Sequence, residues 1–397
     1  MRILFLTDNF PPEVNAPATR TYEHCKEWVK LGHEVTVITC FPNFPKGKVF
    51  KRYRNKLISK KTVDGIKVIR VWTFIAPNTK FFKRTIDHLS FAISSFIVGL
   101  FISTDRIIAT SPQFFTVLGG SWLSFFKRTP WVMEVRDLWP NSIVAVGHMK
   151  DNSRTFRFLK KIELKLYRHA SKIVVVTDSF KGYLESYRID SSKIGVFKNG
   201  IVKDNFVSNG NLPVTLKAEL KNKTVIGYIG TIGLAHKLDF ILECAENLKE
   251  EKYHFLIMGD GAKKHELLKL KDKLGLENVS ILDGVDRSLV PTYLSICDYS
   301  IVNLKKSDEF KKVIPSKIFE SIALSKPILL GVEGEAKSLI DKYEVGVCYE
   351  PENKESFLNA LQNISALDTK KVKANCSKMS KDFDRNSIAK KMLNFIK

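Results

Sequence analysis

The segment at residues 314–323 carries the most distinctive combination of reactive side chains. Pro315 suits the first turn of a helix, which would place Ser316 and Lys317 near the positive end of the helix dipole. A cation beside exposed amides can hold a diphosphate, and Glu320, one turn later, can accept two vicinal hydroxyls of a ribose. A surface ion pair between Lys317 and Glu320 is an equally weighted alternative, because such spacing puts both on one helix face.

Two glycine-bearing turns follow predicted strands in the same half of the chain. Residues 230–233 lie between a strand and a helix, where Gly230 and Gly233 would let backbone amides approach a phosphate. Residues 259–261 form a Gly-Asp-Gly turn of the same kind. Neither is a G-x-G-x-x-G fingerprint, so a tight turn without a ligand is the alternative. That alternative is favoured for a lone strand-to-helix glycine and evenly weighted at 259–261.

Two charged segments lie at predicted strand ends in the first half. The loop at residues 11–20 is rich in small residues, which permit close approach of a ligand, and its Arg20 can reach an anion. Residues 134–140 end another strand and put Arg136 and Asp137 at the edge of the sheet. A charged pair there is costly unless it is used or paired, so we expect it to have a ligand or a partner.

The net charge of +22 is concentrated in the first half of the chain. Residues 1–200 carry 33 Lys and Arg against 15 Asp and Glu, whereas residues 201–397 carry 31 against 27. Nucleic acid, anionic lipid headgroups and a phosphorylated substrate all fit this asymmetry. Residues 46–61 are all basic or uncharged and include Phe50 and Tyr53. They form a candidate membrane-surface or phosphate-binding loop, with a simple solvated loop as the alternative.

Short apolar strands that alternate with helices position these segments. A strand at residues 3–6, a helix at 18–31 and a strand at 34–39 form an opening βαβ unit. Further strands are predicted at 66–71, 106–110, 130–135, 172–177, 224–230, 254–258, 279–282, 299–303 and 327–330, with helices near 85–103, 113–127, 154–169 and 238–250. The pattern predicts parallel sheets that bind ligands outside the carboxyl ends of their strands.

The alternation restarts after a linker at residues 203–223, which predicts two consecutive α/β domains. We place a doubly wound, Rossmann-like domain at 1–202 and a second at 203–380. A lysine-rich C-terminal helix at 381–397 could pack back on the first domain.

Composition narrows the class of protein further. At 397 residues, 44% hydrophobic and 27% charged, the chain is globular and long enough for two or three domains. Six scattered cysteines without a C-x-x-C are typical of reduced cytosolic thiols rather than of disulfides or a zinc site. No secretory signal is expected. The longest apolar run, 89–103, is shorter than the roughly 20 residues of a bilayer span, so a buried or interfacial helix is expected.

In their order along the chain, these segments resemble the family 4 retaining glycosyltransferases of the GT-B fold. The resemblance is strongest to the bacterial subgroup that builds O-antigen and capsule repeat units, and it spans nearly the whole chain. It is carried by residues 8–13, 15–20, 41–45, 134–140, 230–235 and 314–320.

The resemblance implies two Rossmann-like domains facing a cleft, with the acceptor on the N-terminal domain and a nucleotide sugar on the C-terminal one. Glu320 would bind the donor ribose, and Lys317 and the 230–233 turn would hold the diphosphate. The implied donor-binding residues are Gly230, Thr231, Ile232, Gly233, His236, Gly259, Asp260, Ser316, Lys317, Ile318 and Glu320. The implied acceptor-binding residues are Asn15, Ala16, Thr19 and Arg20, and the implied catalytic residues are Arg136, Asp137 and Lys317.

The chain departs from the usual family pattern at several positions. Lys312 stands where many members carry a second glutamate, eight residues before Glu320. The Arg and Lys that usually clamp the diphosphate correspond to Thr231 and His236. An Arg136-Asp137 pair replaces a His-Asp pair. These changes leave open which residue contacts the hydroxyls of the donor sugar.

The expected reaction moves a sugar, by preference an N-acetylated amino sugar, from a UDP-sugar to a polyprenyl-diphosphate-linked acceptor. The basic first half and the apolar run at 89–103 favour peripheral contact with anionic lipid on the cytoplasmic face of the inner membrane. No metal is expected, because the only Asp-x-Asp, residues 382–384, lies in the lysine-rich tail. The alternatives are a UDP-N-acetylglucosamine 2-epimerase-like enzyme of the same fold and, less favoured, a basic nucleic-acid-binding protein.

Overall fold

The structure is a computed structural model that describes residues 1–44, 47–75, 81–111, 113–147, 149–208, 210–250 and 252–397. The chain divides into two compact units, one made of Met1–Lys198 with Arg385–Lys397 and the other of Asn199–Asp384. Pro45 and Lys46, which belong to the predicted 41–45 and 46–61 segments, and Asn209 of the predicted linker lie outside the described residues.

The first unit is built on an eight-stranded sheet in the order β3-β4-β2-β1-β5-β6-β7-β8. Its strands are β1 (Arg2–Leu6), β2 (Glu34–Cys40), β3 (Ile58–Val63), β4 (Ile66–Val71), β5 (Arg106–Thr110), β6 (Trp131–Val135), β7 (Lys172–Val175) and β8 (Ile194–Val196). Its first six helices are α1 (Ala16–Lys30), α2 (Phe81–Leu100), α3 (Phe114–Lys127), α4 (Asn141–Ala145), α5 (Arg154–His169) and α6 (Asp178–Ser186). All neighbouring strands are parallel except β3, which runs antiparallel to β4.

The β3–β4 hairpin differs from the predicted basic loop, because β3 takes up part of residues 46–61. Its turn is formed by Asp64 and Gly65, whose positive φ angles of 48° and 79° are typical of the tight turn that joins antiparallel strands. The strand lies at the edge of the sheet, where lysines are tolerated because one side of the strand faces solvent.

The second unit is built on a six-stranded parallel sheet in the order β11-β10-β9-β12-β13-β14. Its strands are β9 (Thr224–Ile229), β10 (Tyr253–Met258), β11 (Val279–Leu282), β12 (Tyr299–Asn303), β13 (Ile328–Gly331) and β14 (Gly346–Cys348). Its helices are α7 (Val214–Glu219), α8 (Leu238–Glu246), α9 (Lys264–Leu274), α10 (Val290–Ser295), α11 (Lys317–Ala323), α12 (Glu335–Tyr343), α13 (Lys354–Ser365) and α14 (Thr369–Asp382).

The strand order reverses at the middle of each sheet, as predicted for doubly wound domains. The reversal falls between β1 and β5 in the first unit and between β9 and β12 in the second. Alternate residues of β9 enter separate cores on the two faces: Ile226 and Tyr228 on one face, Val225 and Ile229 on the other. Loops at the carboxyl ends of these strands are therefore the places where such sheets bind ligands.

The chain ends in α15 (Arg385–Ile396), which belongs to the first unit. Met392 and Leu393 of this helix are buried in the same core as Trp28 of α1. The indole of Trp28 donates a hydrogen bond to the carbonyl of Ala389, with 2.9 Å between the two atoms. The predicted boundaries at 202/203 and 380/381 thus differ by a few residues from the observed division at 198/199 and 384/385.

Candidate functional site

The loop after β9 leaves room for the side chain of Lys317. A Cβ atom on Gly230 would lie 2.7 Å from Lys317 Nζ, so any side chain at this position would displace the ammonium. The ammonium also lies 4.6 Å from the centre of the Tyr228 ring. The structure thus brings the predicted 230–233 turn together with the start of α11, at the reversal point of the second sheet.

Within the described residues, the ammonium of Lys317 forms no ion pair. Burial lowers the pKa of its ammonium to about 8, and the negative charge of Glu320 opposes that shift only in part. Among the residues that the structure describes, no acceptor lies within hydrogen-bond distance of the ammonium. Removing a cation from water without such a partner costs free energy, which an anionic ligand would recover.

The imidazole of His236 also packs against Tyr228. The two rings meet edge to face, with 5.9 Å between their centres. Burial, and then the charge of Lys317, lower the pKa of His236 to about 3, so the imidazole is neutral at physiological pH. Its buried Nδ1 atom has no hydrogen-bond partner within the described part of the chain. The ring therefore has a polar atom that a ligand in this loop could use.

Glu320 is paired with a residue that the sequence analysis missed. Its carboxylate accepts a hydrogen bond from Arg287, with 3.3 Å between the two atoms. Arg287 lies in a short 3-10 turn after β11, so the pair joins that turn to the first turn of α11. Glu320 thus forms its ion pair with Arg287, and not with Lys317, which was the alternative considered from their spacing. Arginine and glutamate lie 33 positions apart, and no local spacing signalled their contact.

The start of α11 differs in detail from the prediction. Ser316 is the N-cap residue, so Pro315 precedes the helix instead of lying in its first turn. The backbone amide of Ile318 donates to the carbonyl of Pro315, and its side chain is fully buried in the core. Ser316 makes no capping hydrogen bond with its side chain. Of the predicted donor contacts in this segment, Lys317 and Glu320 have the side chains that face the loops.

The Gly-Asp-Gly turn after β10 packs against the loop after β9. A Cβ atom on Gly259 would lie 1.8 Å from the carbonyl oxygen of Gly230, and one on Gly261 would lie 2.2 Å from that of Ile232. The carbonyl of Asp260 accepts a hydrogen bond from the Ile232 amide at 2.9 Å. This close approach of two backbones explains both glycines without a ligand, and the donor-binding role of Gly259 and Asp260 stays a prediction.

Thr231 and Gly233, two further predicted residues of the β9 loop, accept hydrogen bonds through their backbone carbonyls. The carbonyl of Thr231 accepts a hydrogen bond of 2.5 Å from the Tyr228 hydroxyl. The carbonyl of Gly233 accepts one of 3.1 Å from the His236 amide. Both bonds hold the loop in a compact form around the Tyr228 ring.

In the first unit, the predicted acceptor loop is held by Asn15 at the start of α1. The Asn15 side chain accepts a hydrogen bond from the Ala18 amide and donates one to the Asn9 side chain, each at 2.8 Å. Ala16 is the first residue of the helix, and Thr19 is buried within it. Asn15 is therefore a capping residue that also orders the loop after β1.

Arg20 is buried in a network of internal contacts, which differs from the predicted contact with an acceptor. Its guanidinium forms an ion pair with Glu134 at 2.9 Å, and both side chains are only 1% exposed. It also donates to the carbonyls of Phe197 and Lys198. These contacts tie α1 to the ends of β6 and β8. Glu134 was not singled out by the sequence analysis, because it lies 114 positions away from Arg20.

Arg136 and Asp137 directly follow β6, where burial limits the hydration of their side chains. Burial lowers the pKa of the Arg136 guanidinium to about 10 and raises that of the Asp137 carboxyl to about 6. The Arg136 amide donates to the Ser111 hydroxyl at 3.0 Å, but its buried Nε and Nη1 atoms have no partner among the described residues. The pair thus lies at the carboxyl edge of the sheet, as predicted, and two donor atoms of Arg136 are available to a ligand.

Two carboxylates near the same edge were missed as site residues. Glu13 accepts hydrogen bonds from the amides of Asn43 and Phe44, at 2.8 and 2.9 Å, and so joins the loops after β1 and β2. Asp8 lies two residues after the end of β1, and its buried Oδ1 atom has no described partner. Burial and the charge of Glu13 raise the pKa of Asp8 to about 7. Its position shortly after a central strand was the signal that could have identified it.

Two further findings concern the described residues alone. No described helix is both long and apolar enough to cross a membrane. Within the same residues, no three His, Cys, Asp or Glu side chains are grouped so as to hold a metal ion.

Two family models match the sequence in tandem. Residues 17–205 match the family described as Glycosyltransferase Family 4, and residues 216–383 match the one described as Glycosyl transferases group 1. Together the two matches take in most of both units.

Three relatives of the chain are named as glycosyltransferases. WcaI of Escherichia coli K12, named as a colanic acid biosynthesis glycosyl transferase, is 23% identical over 410 residues, with 100% of each chain covered. WbjE of Pseudomonas aeruginosa, named as a glycosyltransferase, is 27% identical over 60% of each chain. TuaH of Bacillus subtilis 168, named as a teichuronic acid biosynthesis glycosyltransferase, is 25% identical over 59% of this chain and 58% of its own.

Solved structures with the same fold include two glycosyltransferase-like neighbours over nearly the whole chain. HepE of Anabaena, in complex with UDP, superposes with a TM-score of 0.71 at 15% identity, covering 99% of each chain. WaaG, a glycosyltransferase involved in lipopolysaccharide biosynthesis, superposes with a TM-score of 0.68 at 14% identity and the same coverage. HepE has also been solved with UDP-glucose, with a TM-score of 0.72.

Proposed function

Because the chain belongs to the family 4 glycosyltransferases of the GT-B fold, we propose that it moves a sugar from a UDP-sugar to a polyprenyl-diphosphate-linked acceptor. The product is an intermediate of a bacterial surface polysaccharide, such as an O-antigen or a capsule. The names of WcaI and TuaH, which refer to colanic and teichuronic acid, support this class of product. The reaction retains the configuration of the anomeric carbon, as the family implies.

The nucleotide of the donor is supported by the structural neighbours. HepE is described in complexes with UDP, with UDP and glucose, and with UDP-glucose. In the present chain, Glu320 would accept the ribose hydroxyls, held in place by Arg287. An N-acetylated amino sugar is the sugar we expect on the nucleotide.

The observation that carries the proposal is the uncompensated cation of Lys317. Its desolvated ammonium has no described acceptor and lies beside the β9 loop, at the reversal point of a doubly wound sheet. Sheets of this kind bind nucleotides at that point. A diphosphate would supply the missing negative charge. In the reaction, charge develops on the β-phosphate as the sugar leaves, and Lys317 would stabilise it.

The proposed transfer needs no nucleophile from the protein. The bond between the anomeric carbon and the β-phosphate oxygen breaks, and its electron pair stays on the phosphate. The acceptor hydroxyl forms the new bond on the same face of the sugar, and its proton passes to the leaving phosphate. Neutral His236 would donate a hydrogen bond to the diphosphate, and Arg136 and Asp137 would contact the reacting sugar and acceptor. We propose that no metal ion is required.

The acceptor places the enzyme at the cytoplasmic face of the inner membrane, where the basic first half would contact anionic lipid. Nothing in this assignment requires a membrane-spanning helix.

The test is a transfer assay on the purified full chain with several UDP-sugars and a short-chain prenyl-diphosphate-linked N-acetylhexosamine. We expect UDP release that depends on the acceptor and occurs with one of the sugars, and we expect this activity to persist in EDTA. NMR should show the same anomeric configuration in the product as in the donor. A UDP-sugar epimerised without acceptor would favour the epimerase alternative. No turnover with any nucleotide sugar would overturn the proposal.

A further inference from the structure

The helix pair α2–α3 packs closely at two glycines, and several large apolar side chains of the pair are exposed. A Cβ atom on Gly99 would lie 2.6 Å from the side chain of Leu123, and one on Gly119 would lie 3.1 Å from the carbonyl oxygen of Ala92. The glycines therefore let the two helices approach, and larger apolar side chains flank the contact, where Trp122 and Phe126 of α3 pack edge to face against Phe96 of α2.

These larger side chains form a continuous exposed apolar surface, which we call the α2–α3 face. On α2 they recur at three- and four-residue spacing, which forms one stripe along a helix. The exposed members of the face are Ile86, Leu89, Ile93, Ile97, Leu100, Phe101, Trp122, Phe125 and Phe126. Phe101, Phe125 and Phe126 are 86%, 79% and 65% exposed, so most of each ring is in water. An apolar surface of this extent marks a binding site.

The surroundings of the face are basic. Phe101 lines an open cavity of about 760 Å³ together with Lys60 and Lys61 of β3. The ammonium of Lys127, at the end of α3, donates to the carbonyl of Leu100 at 3.0 Å, so a further cation lies at the end of the stripe. Exposed phenylalanines beside lysines match the boundary between acyl chains and anionic headgroups of a lipid surface.

The face also begins near the predicted acceptor site. α2 follows β4, so its first turn lies at the carboxyl edge of the sheet, where Asp8 follows β1. The charge of Arg84, in that first turn, favours ionisation of Asp8 and so opposes the rise in the pKa of this carboxyl. One end of the apolar stripe therefore reaches the edge where Arg136 and Asp137 lie.

We propose that the α2–α3 face docks on an anionic lipid bilayer, with Phe101, Phe125 and Phe126 inserted among the acyl chains and Lys60, Lys61 and Lys127 beside the phosphates. The proposal rests on the proposed function, since a lipid-linked acceptor places the reaction at a membrane. A second copy of the chain fits the face less well, because two basic rims would repel each other, whereas anionic headgroups neutralise them.

The test is flotation of the full chain with vesicles of phosphatidylethanolamine and phosphatidylglycerol, compared with vesicles of phosphatidylcholine alone. The variant combines Phe101→Ser, Phe125→Ser and Phe126→Ser. Its matched control, on exposed residues of the second unit, combines Val207→Ser, Val214→Ser and Leu268→Ser. We expect the wild type and the control to float with anionic vesicles and the phenylalanine variant to partition at least about tenfold more weakly.

A charge variant separates insertion from attraction. Lys60→Gln with Lys61→Gln should weaken binding to anionic vesicles at low salt and leave binding at high salt unchanged, whereas Lys221→Gln with Lys223→Gln should change neither. Equal flotation of the phenylalanine variant and wild type would overturn the proposal. So would a concentration-dependent dimer that the phenylalanine substitutions abolish, measured by sedimentation velocity without lipid.

Activity distinguishes this inference from the proposed function. The phenylalanine variant should turn over a water-soluble short-chain acceptor at the wild-type rate and lose transfer to a long-chain acceptor in vesicles. A wild type that is active in solution but does not bind vesicles refutes the docking face and keeps the function. A wild type that binds vesicles but transfers no sugar refutes the function and keeps the face.

Discussion

A Cβ atom on Gly230 would lie 2.7 Å from the Nζ atom of Lys317, so the two residues share one space at the carboxyl end of β9. Gly230 also has a φ angle of 141°, which other residues rarely adopt. The position of the cation thus depends on the absence of a side chain at a residue 87 positions earlier in the chain.

Replacing Gly230 with alanine should therefore displace the ammonium of Lys317 and weaken UDP binding by about tenfold or more. Titration calorimetry measures this directly. Gly182→Ala, on a helix where a Cβ would meet nothing within 4 Å, is the control and should bind UDP as the wild type does. Unchanged UDP affinity in Gly230→Ala, with the fold intact by thermal unfolding, would separate Gly230 from the donor site.

Glu320 should make the enzyme distinguish ribose from deoxyribose. A hydrogen bond between a hydroxyl and a charged group is worth about 1.5–3 kcal/mol, so the wild type should prefer UDP over 2′-deoxy-UDP by about tenfold or more. Glu320→Ala should bind both ligands weakly and equally. Arg287→Gln, which removes the partner of the carboxylate, should reduce the preference without abolishing it. Persistence of the full preference in Glu320→Ala would contradict the ribose assignment.

Arg20 should stabilise the first unit and leave the acceptor unaffected. Removing one partner of a buried ion pair costs about 3–5 kcal/mol, so Arg20→Met should strongly lower the free energy of unfolding in urea. Arg2→Met breaks the exposed pair with Asp105 and should lower that free energy far less, because water screens an exposed pair. The opposite pattern, a raised KM for the acceptor with stability unchanged, would restore the predicted acceptor role of Arg20.

Asp8 should make the protein less stable as the pH rises. Its folded-state pKa is raised to about 7 from an ordinary value of 3.8, so the folded protein holds the proton more tightly than the unfolded chain. The associated stability is complete below the ordinary value and is lost as the pH rises towards 7, by at most about 1.4 kcal/mol per pH unit. Asp8→Asn should remove this loss and unfold at a higher temperature than wild type at pH 8, with the advantage shrinking at pH 5. Parallel curves for both proteins from pH 5 to 8 would refute the assignment.

The sheets could be predicted from the sequence because their central strands are continuous apolar runs. β1 and β9, for example, are buried along nearly their whole length. A continuous apolar run of this length is typical of a strand that is covered on both faces. β3 was missed because it is a basic edge strand without such a run. The Asp64-Gly65 turn that follows it was the available signal.

The site was predicted in part, for a physical reason that differs from residue to residue. Lys317 and Glu320 lie one turn apart at the start of one short helix, so their proximity could be predicted from local sequence. Arg20 could not be assigned, because a buried guanidinium and a ligand-binding one look alike until the partner is known. Glu134 comes close to Arg20, and Arg287 comes close to Glu320, only through the pairing order of the strands.

The most direct test of the donor site is titration calorimetry of UDP with wild type, Lys317→Met and Lys326→Met. Lys326 is another partly buried lysine of the second unit, but its ammonium already has an acceptor in the carbonyl of Ser295 at 2.6 Å. Because a charge-assisted bond to phosphate would be lost, we predict that Lys317→Met weakens UDP binding by about thirtyfold or more and that Lys326→Met does not. Equal affinity of Lys317→Met and wild type, or a wild type that binds no UDP, would contradict the account.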